Sequence, residues 1–446
     1  MKSDVVVIGG SAAGLTAAIS VRSFYPDRSV TVIRKGENIL VPCGIPYVFG
    51  SLDSVDENYL PEKPYAALEV GKVVDAAVEV DVEAHTVKTA GGETVEYGKL
   101  LLTTGSKPAR IPLEGQDLEG VYYVEKDAEA LKRLREKVVA SQKIVIVGGG
   151  FIGVEFADDI IKMGRKEVHV VEMLPHCLAL AFDEEYCEAA EAQLSQQGVQ
   201  VHTGARVKRI VGEGSVKGVE IEGAGTIDAD MVIVAIGARP ESELAKNAGI
   251  QVDAKGSIVV DGLMRTSAPD VFAAGDCAQK RCFFTGRLIP GLLASIACME
   301  ARTAALAMYD PGSSSVNHGA ILAFSTKVGD VAFGCAGMVE ARAKREGFDC
   351  IVGTAESVDR HPGGLPGAHK VTSKLIFSRN SRVILGGEVM GGPGAGEMVN
   401  VIAGAIQSKL RMEELVTMQL ATHPLLTSSP IAYTLLPAAA NALKAL

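Results

Sequence analysis

Two short segments of this chain repeat one design, and a chain that carries both is left with few folds. Residues 4–8 (DVVVI) run into GGSAAG and then an amphipathic stretch from Leu15 to Phe24, while residues 143–147 (KIVIV) run into GGGFIGVEFADDIIKMG. A short, wholly apolar run is what a strand buried on both faces requires, and glycines followed by a helical pattern complete the opening of a βαβ nucleotide-binding unit. The expectation is an α/β protein with two Rossmann-like dinucleotide-binding domains. Between them, AVEVDVEAHTVKT and GETVEYGKLLLTTG alternate like half-exposed strands of a meander, and KDAEALKRLREK (126–137) reads as a linker helix with its charges outward. The stretch 264–277 (MRTSAPDVFAAGDC) reads as another strand ending in Gly-Asp. After VNHGAI come strands such as KLIFSR and RVILGGEV, then helices at 396–407 and 412–417, which together suggest a separate α+β domain. The expected boundaries are 1–115 with 247–325 for the first dinucleotide domain, 116–246 for the second, and 326–446 for the C-terminal domain.

The length of 446 residues suits about three domains at roughly 100–200 residues each. With 44 Lys and Arg against 54 Asp and Glu, the net charge of −10 repels phosphate backbones, so no nucleic-acid partner is expected. No stretch approaches the ~18 apolar residues that span a bilayer, so no membrane partner is expected either. The opening MKSDVVVIGG lacks a cleavage-site pattern and reads as the first strand, consistent with a cytoplasmic protein. Eight cysteines in a long chain without a secretion signal do not form a disulfide framework, and most are expected as small buried hydrophobes. Cys277-x4-Cys282 has no second ligand pair and His176-Cys177 stands alone, so no metal set is expected.

Gly148-x-Gly150-x-x-Gly153 is a full dinucleotide fingerprint: the first glycine turns tightly, the second admits a pyrophosphate, and the third packs helix on strand. The phosphates then meet the free N–H groups of a helix N-terminus. Glu172 closes the strand EVHVVE, where its carboxylate can accept ribose hydroxyls and repel a 2′-phosphate; NADH is expected, with NADPH as the second option. In the first motif Gly9, Gly10 and Gly14 are kept, but Ser11, followed by Ala12, replaces the middle glycine. Arg34 and Lys35 stand where the acid would be. Its context supplies the rest: Thr104 and Gly105 in LLLTTGSKP, and Gly275-Asp276 in VFAAGD, fit the further segments of an FAD site, with Asp276 placed to accept a ribityl hydroxyl. Gly237 in AIGARP joins the candidate cofactor set.

In this order, GGxxxG, TTG, GxGxxG and GD resemble the pyridine nucleotide–disulfide oxidoreductases, over essentially the whole chain. The resemblance implies FAD, NADH and a C-terminal domain that pairs two copies into a homodimer. Two-cysteine branches of that superfamily carry C-x4-C at Cys43; here the second position is Val48, so Cys43 has no local disulfide partner. A single redox cysteine cycles through a mixed disulfide, a persulfide or a sulfenic acid. CGIPYVFG resembles the single-cysteine branch: coenzyme A disulfide reductases, NAD(P)H-dependent persulfide or polysulfide reductases, NADH oxidases and NADH peroxidases. Pro42, Gly44 and Pro46 predict a rigid turn entering a helix, whose N–H groups would lower the thiol pKa.

Departures from the branch patterns narrow the reading. Ala12 stands where peroxidases and many oxidases carry His, which demotes a peroxidase. Ile39-Leu40-Val41-Pro42 replaces the Ser-Phe-x-Asn common in coenzyme A disulfide reductases, and DRHP (359–362) and THP (422–424) replace their tyrosine sites. Arg22 resembles a residue that grips coenzyme A phosphates, but its basic neighbour is replaced by Ser23. THPLLTSSP resembles the His-Pro segment that two-cysteine members donate across the dimer, which makes His423 the candidate acid/base, with Ser428 where an orienting acid would be. His361 is a second candidate, and Arg360 could meet an anionic substrate.

The resulting expectation is an FAD-dependent NAD(P)H oxidoreductase. It would reduce a small disulfide, persulfide or polysulfide of the coenzyme A disulfide type through Cys43, with Glu155 positioning the nicotinamide. The alternative is an NADH oxidase in which Cys43 traps peroxide as a sulfenate. A redox sensor or electron-relay flavoprotein without turnover is the third reading.

Overall fold

Hydrophobic strands that must be buried on both faces organise the first of two units in the computed structural model, which describes residues 1–312 and 315–446. This unit comprises residues 1–111, 123–139 and 237–320. Its sheet follows the order β3 (Gly71–Val74), β2 (Val30–Arg34), β1 (Lys2–Ile8), β6 (Thr94–Leu102), β5 (Thr86–Thr89), β4 (Ala77–Asp81), and β17 (Val271–Ala273) also pairs with β6. The pairings β1–β2, β2–β3, β1–β6 and β6–β17 are parallel, and the meander β4–β5–β6 is antiparallel. Val5, Val6, Val7 and Leu100 to Leu102 are wholly buried, so this centre reads as continuous apolar runs.

Two alanine-rich helices, α1 (Ala12–Phe24) and α7 (Ala294–Ala307), contribute small side chains to the same core. Ala is the best helix former, and its size lets backbones approach closely. The short helices α2 (Lys63–Ala67) and α6 (Glu243–Asn247), the ribbon β7 (Ser106–Pro108) with β16 (Ala238–Pro240), and α3 (Ala128–Ala140) complete the unit. The helix expected over 126–137 is α3, and it groups with this unit. The strand expected over 264–277 is confined to β17, because Met264 and Asp270 adopt positive φ (64° and 62°) and break the extended run.

The second unit comprises residues 112–122, 140–236 and 321–446. Its parallel core is β11 (Gln200–His202), β10 (Glu167–Val171), β9 (Lys143–Val147) and β15 (Met231–Val234), extended by β8 (Val121–Tyr123) and accompanied by α4 (Phe151–Ile161) and α5 (Glu184–Gln196). A three-stranded sheet, β12 (Val207–Glu213), β13 (Ser215–Ile221) and β14 (Gly225–Asp228), is inserted before β15. The C-terminal part is an antiparallel sheet in the order β18 (Phe324–Val328), β19 (Val331–Gly337), β22 (Ile384–Gly391), β21 (Lys370–Ser378), β20 (Cys350–Val358). Helices α8 (Glu340–Arg345), α9 (Ala395–Gln407), α10 (Met412–Val416) and α11 (Leu435–Lys444) accompany it. The whole is the α/β architecture expected, with the α+β segment at the C-terminus. Among the described residues, no helix is long and apolar enough to cross a membrane.

Candidate active site and cofactor cradles

The first glycine turn joins β1 to α1. Gly9 has φ +111°, its N–H donates to the Ile33 carbonyl, and a Cβ there would lie 2.2 Å from the Thr103 carbonyl oxygen. A Cβ on Gly14 would lie 1.9 Å from the Gly9 carbonyl oxygen, so only glycine lets the helix start this close to the strand. Ser11, the departure from the fingerprint, is the N-cap residue with φ −82° and ψ −161°, a backbone any residue adopts. Its hydroxyl does not cap the helix, so the hydroxyl and the first N–H groups of α1 are left to an anion. Thr103 closes the turn from the other side, donating to the carbonyls of Ile8 and Gly9 at 2.9 and 3.2 Å.

The second turn repeats this geometry between β9 and α4. Gly148 has φ +112°, its N–H donates to the Val171 carbonyl, and a Cβ on Gly153 would lie 1.8 Å from the Gly148 carbonyl oxygen. Gly150 is the N-cap, and a Cβ there would meet nothing within 4 Å, which leaves the room a pyrophosphate needs. Glu172 is buried against this turn: one carboxylate oxygen accepts the Gly149 N–H at 2.6 Å and the other the Leu174 N–H at 2.7 Å. Each oxygen keeps a lone pair for a ribose hydroxyl. On α4, the Glu155 carboxylate accepts the Thr326 hydroxyl at 2.6 Å, which ties the helix to β18.

The Gly275-Asp276 turn follows β17 in the first unit, with Gly275 at φ +80°. Both of its backbone groups are clamped by a buried ion pair that sequence reasoning missed: Glu300 of α7 accepts the Gly275 N–H at 2.9 Å, and Lys280 donates to the Gly275 carbonyl at 2.6 Å. Lys280 and Glu300 lie 2.9 Å apart. Burial raises the Glu300 carboxyl above the usual range, more than Lys280 pulls it down. Asp276 in turn accepts from Ser106 at 2.7 Å and Lys126 at 2.9 Å. Cys298, two residues before Glu300 on α7, accepts the Thr16 hydroxyl at 3.2 Å, so one helix meets both α1 and the Gly-Asp turn. No motif spacing signals such a pair; a charged residue inside an alanine-rich helix was its only mark. Thr104 donates to the Glu241 carbonyl, and the Gly105 carbonyl accepts the Glu241 N–H at 2.9 Å. Gly237, at φ +103° with open space at its Cβ position, precedes β16, and Lys35 is exposed just past β2.

Cys43 lies at the start of a short 3-10 helix, Pro42–Val48, within the first unit. It is the exposed member of the eight cysteines; Cys177, Cys187, Cys277, Cys282 and Cys335 are buried, and Cys298 and Cys350 are half-buried. Burial pushes the Cys177 and Cys187 thiols up to about 12, which makes them inert. The Cys43 turn is locked by Asn58, a residue the sequence did not flag: its side-chain amide donates to the Val41 carbonyl at 3.1 Å. A Cβ on Gly44 would lie 1.9 Å from the Asn58 Oδ1. Four residues before the cysteine, Ile39 lies near the first glycine turn: a Cβ on Gly10 would be 3.4 Å from its Cγ1.

In the second unit the loops carrying His361 and His423 meet. The His361 N–H donates to the Pro424 carbonyl at 3.1 Å, and His361 Nδ1 lies 3.1 Å from the Thr427 carbonyl, a contact that requires the proton on Nδ1. His423 is exposed and its Nδ1 accepts the Leu425 N–H at 3.2 Å, which leaves Nε2 to carry the proton of the neutral ring. Ser428 is buried, and Arg360 lies 3.4 Å from the Asp359 carboxylate. Arg22 is not an open phosphate grip: its Nε donates to the Leu68 carbonyl and its Nη1 to the carbonyls of Pro26 and Arg28.

Two glycine turns that tolerate no Cβ, two helix N-termini with unclaimed N–H groups, and carboxylates at Asp276 and Glu172 fit a pair of dinucleotides. Comparison with known proteins agrees. The family model described as pyridine nucleotide-disulphide oxidoreductase matches residues 3–300, and its dimerisation domain matches residues 323–431. An NADH oxidase of Methanocaldococcus jannaschii is 32% identical over 434 residues, 94% of each chain. An NAD(P)H coenzyme A polysulfide/persulfide reductase of Pyrococcus horikoshii is 32% identical over 399 residues, 88% of each chain. A solved NAD-dependent persulfide reductase from A. fulgidus superposes with a TM-score of 0.89 at 32% identity, covering 100% of this chain and 83% of that one. The chain belongs to the pyridine nucleotide–disulphide oxidoreductase family, as an NAD(P)H-dependent oxidoreductase that uses FAD and NAD(H).

Proposed function

We propose that the chain reduces a small disulfide, persulfide or polysulfide at the expense of NAD(P)H, with Cys43 as the sulfur nucleophile. The observation that carries this reading is Cys43 itself: exposed, on a turn held by Asn58, in the unit that holds the first glycine turn, and with Val48 where a local partner would be. The first glycine turn and Asp276 would hold FAD, which would supply two electrons drawn as hydride from the nicotinamide. With a persulfide R–S–SH, the Cys43 thiolate attacks the outer sulfur, forms Cys43–S–SH and expels RS⁻, which takes a proton. Two electrons then split Cys43–S–SH into the thiolate and HS⁻. His423 is assigned as the acid for the departing thiolate, acting through Nε2–H when both ring nitrogens carry a proton, and His361 is the second candidate. Relatives named as polysulfide/persulfide and persulfide reductases support this substrate class. The committed guanidinium of Arg22 favours a small sulfur compound over one gripped there by phosphates.

We assign FAD to 1–115 with 247–325, NAD to 116–246 and dimerisation to 326–446, in a cytoplasmic homodimer whose His423 acts across the dimer. The match to the dimerisation domain supports the pairing. A second reading, NADH oxidase, is favoured by the relative of that name. One experiment separates them: NADH consumption with coenzyme A disulfide, persulfide or polysulfide under anaerobic conditions, in wild type and Cys43→Ser. Sulfur-dependent turnover lost in the variant is expected. Undiminished turnover in Cys43→Ser overturns the reading, and turnover that demands O2 selects the oxidase.

A further inference from the structure

In the second unit, the residue closing the second strand lies against the middle of the glycine turn and is an acid. A Cβ on Gly149 would lie 2.9 Å from the Cβ of Glu172. The residue at the same place in the first unit is Arg34, whose Cδ would lie 2.9 Å from a Cβ on Gly10. A guanidinium has donors only, so Arg34 cannot accept a ribose hydroxyl as a carboxylate does. Its side chain is 1% exposed and its Nε has no partner, a costly burial that packing alone does not repay.

The guanidinium is aimed at a carboxylate. Arg34 Nη1 donates to Glu62 Oε1 at 2.8 Å and Nη2 to the Glu37 carbonyl at 2.6 Å. Lys72 Nζ holds the other Glu62 oxygen at 3.0 Å and Glu37 Oε1 at 2.9 Å. Tyr65, three residues after Glu62, donates its hydroxyl to the Gly10 carbonyl at 3.4 Å, so the Glu62 segment is seated on the glycine turn. The side chain of Glu62 is 43% exposed, which leaves its carboxylate within reach of a ligand while Arg34 lies beneath. Partial burial pushes the Glu62 carboxyl up, but Arg34 and Lys72 outweigh this and keep it ionised.

We propose that Glu62 is the acid that accepts the adenosine ribose hydroxyls of FAD, with Arg34 as the positioning residue that carries this carboxylate to the cradle. The acid absent from the end of β2 is thus supplied from the start of α2. Each Glu62 oxygen accepts one cation N–H and keeps a lone pair for a hydroxyl.

The test is independent of the sulfur substrate. Full-length apoprotein is reconstituted with FAD and with FAD analogues lacking the 2′- or the 3′-hydroxyl of the adenosine ribose, and dissociation constants are read from flavin fluorescence. Wild type should hold FAD about tenfold more tightly than at least one analogue, the expectation for a hydrogen bond to a charged acceptor. In Glu62→Ala, FAD should weaken by about the same factor and the discrimination should vanish. If Glu62→Ala fails to fold by circular dichroism, Glu62→Gln is judged the same way, with reduced discrimination expected. Discrimination that survives undiminished in the variant, or is absent in wild type, overturns the proposal.

Discussion

The two glycine turns share a backbone and diverge in what faces it. Gly9 and Gly148 have φ values of +111° and +112°, each donates its N–H to the neighbouring strand, and a Cβ on Gly14 or Gly153 would lie within 2 Å of a carbonyl oxygen. Past the strand that follows, the halves part. The second unit places Glu172 and then the buried Cys177, whose Sγ would lie 2.6 Å from a Cβ on Gly149. The first unit places Arg34 and then the exposed Cys43. Backbone geometry, which can bind phosphates through N–H groups, is common to both halves; side chains decide from where each half brings a carboxylate to its turn and which half exposes a thiol.

The sharpest test of that contrast is chemical labelling. With the Cys177 thiol pushed up to about 12 and buried, Cys43 should alkylate at least ~100-fold faster at neutral pH, read by peptide mass spectrometry. Equal rates would erase the distinction between the two segments. Next in size, Gly14→Ala and Gly153→Ala each force a Cβ onto a carbonyl and should cost about 3 kcal/mol locally. The first should empty the protein of flavin. The second should leave flavin bound but abolish its reduction by NADH, and matching phenotypes would break the division of labour.

Glu172→Ala should be milder. It strands the Gly149 and Leu174 N–H groups and should raise the NADH KM about tenfold, narrowing the gap to NADPH while flavin content stays constant. The smallest effect concerns Glu300, which plays on Gly275 the part that Glu172 plays on Gly149. Its folded carboxyl holds a proton to higher pH than the unfolded one. Its contribution to stability is therefore full below the unfolded value of about 4.3 and is lost as pH rises through the folded value. Glu300→Gln should flatten the fall of Tm across that window by on the order of 2 °C, and an unchanged slope would refute the role of burial.

Much of the cradle was legible in the chain because glycine fingerprints report local sterics. Gly9, Gly14, Gly148 and Gly153 are required by atoms a few residues away or on an adjacent strand, so spacing suffices to find them. Glu172 was legible for the same reason. Asn58, Glu62 and Glu300 were not, since each acts on a segment reached only after the chain has folded back: Glu300 meets Gly275 from a helix, and Glu62 meets Arg34 from beyond the cysteine turn. Even Ser11 became intelligible only from its dihedral angles, which show that the position does not need a glycine conformation.

The amino-acid order by itself determined two phosphate-binding turns, the parallel sheets behind them and a cysteine without a neighbour to bridge, because periodicity and near-range sterics are written locally. The tertiary structure alone decided which carboxylates lie against each cradle, which thiols are sealed away and how the two histidine loops meet. Those outcomes depend on desolvation and on charges brought together from distant stretches, and neither is a property of any short run of sequence.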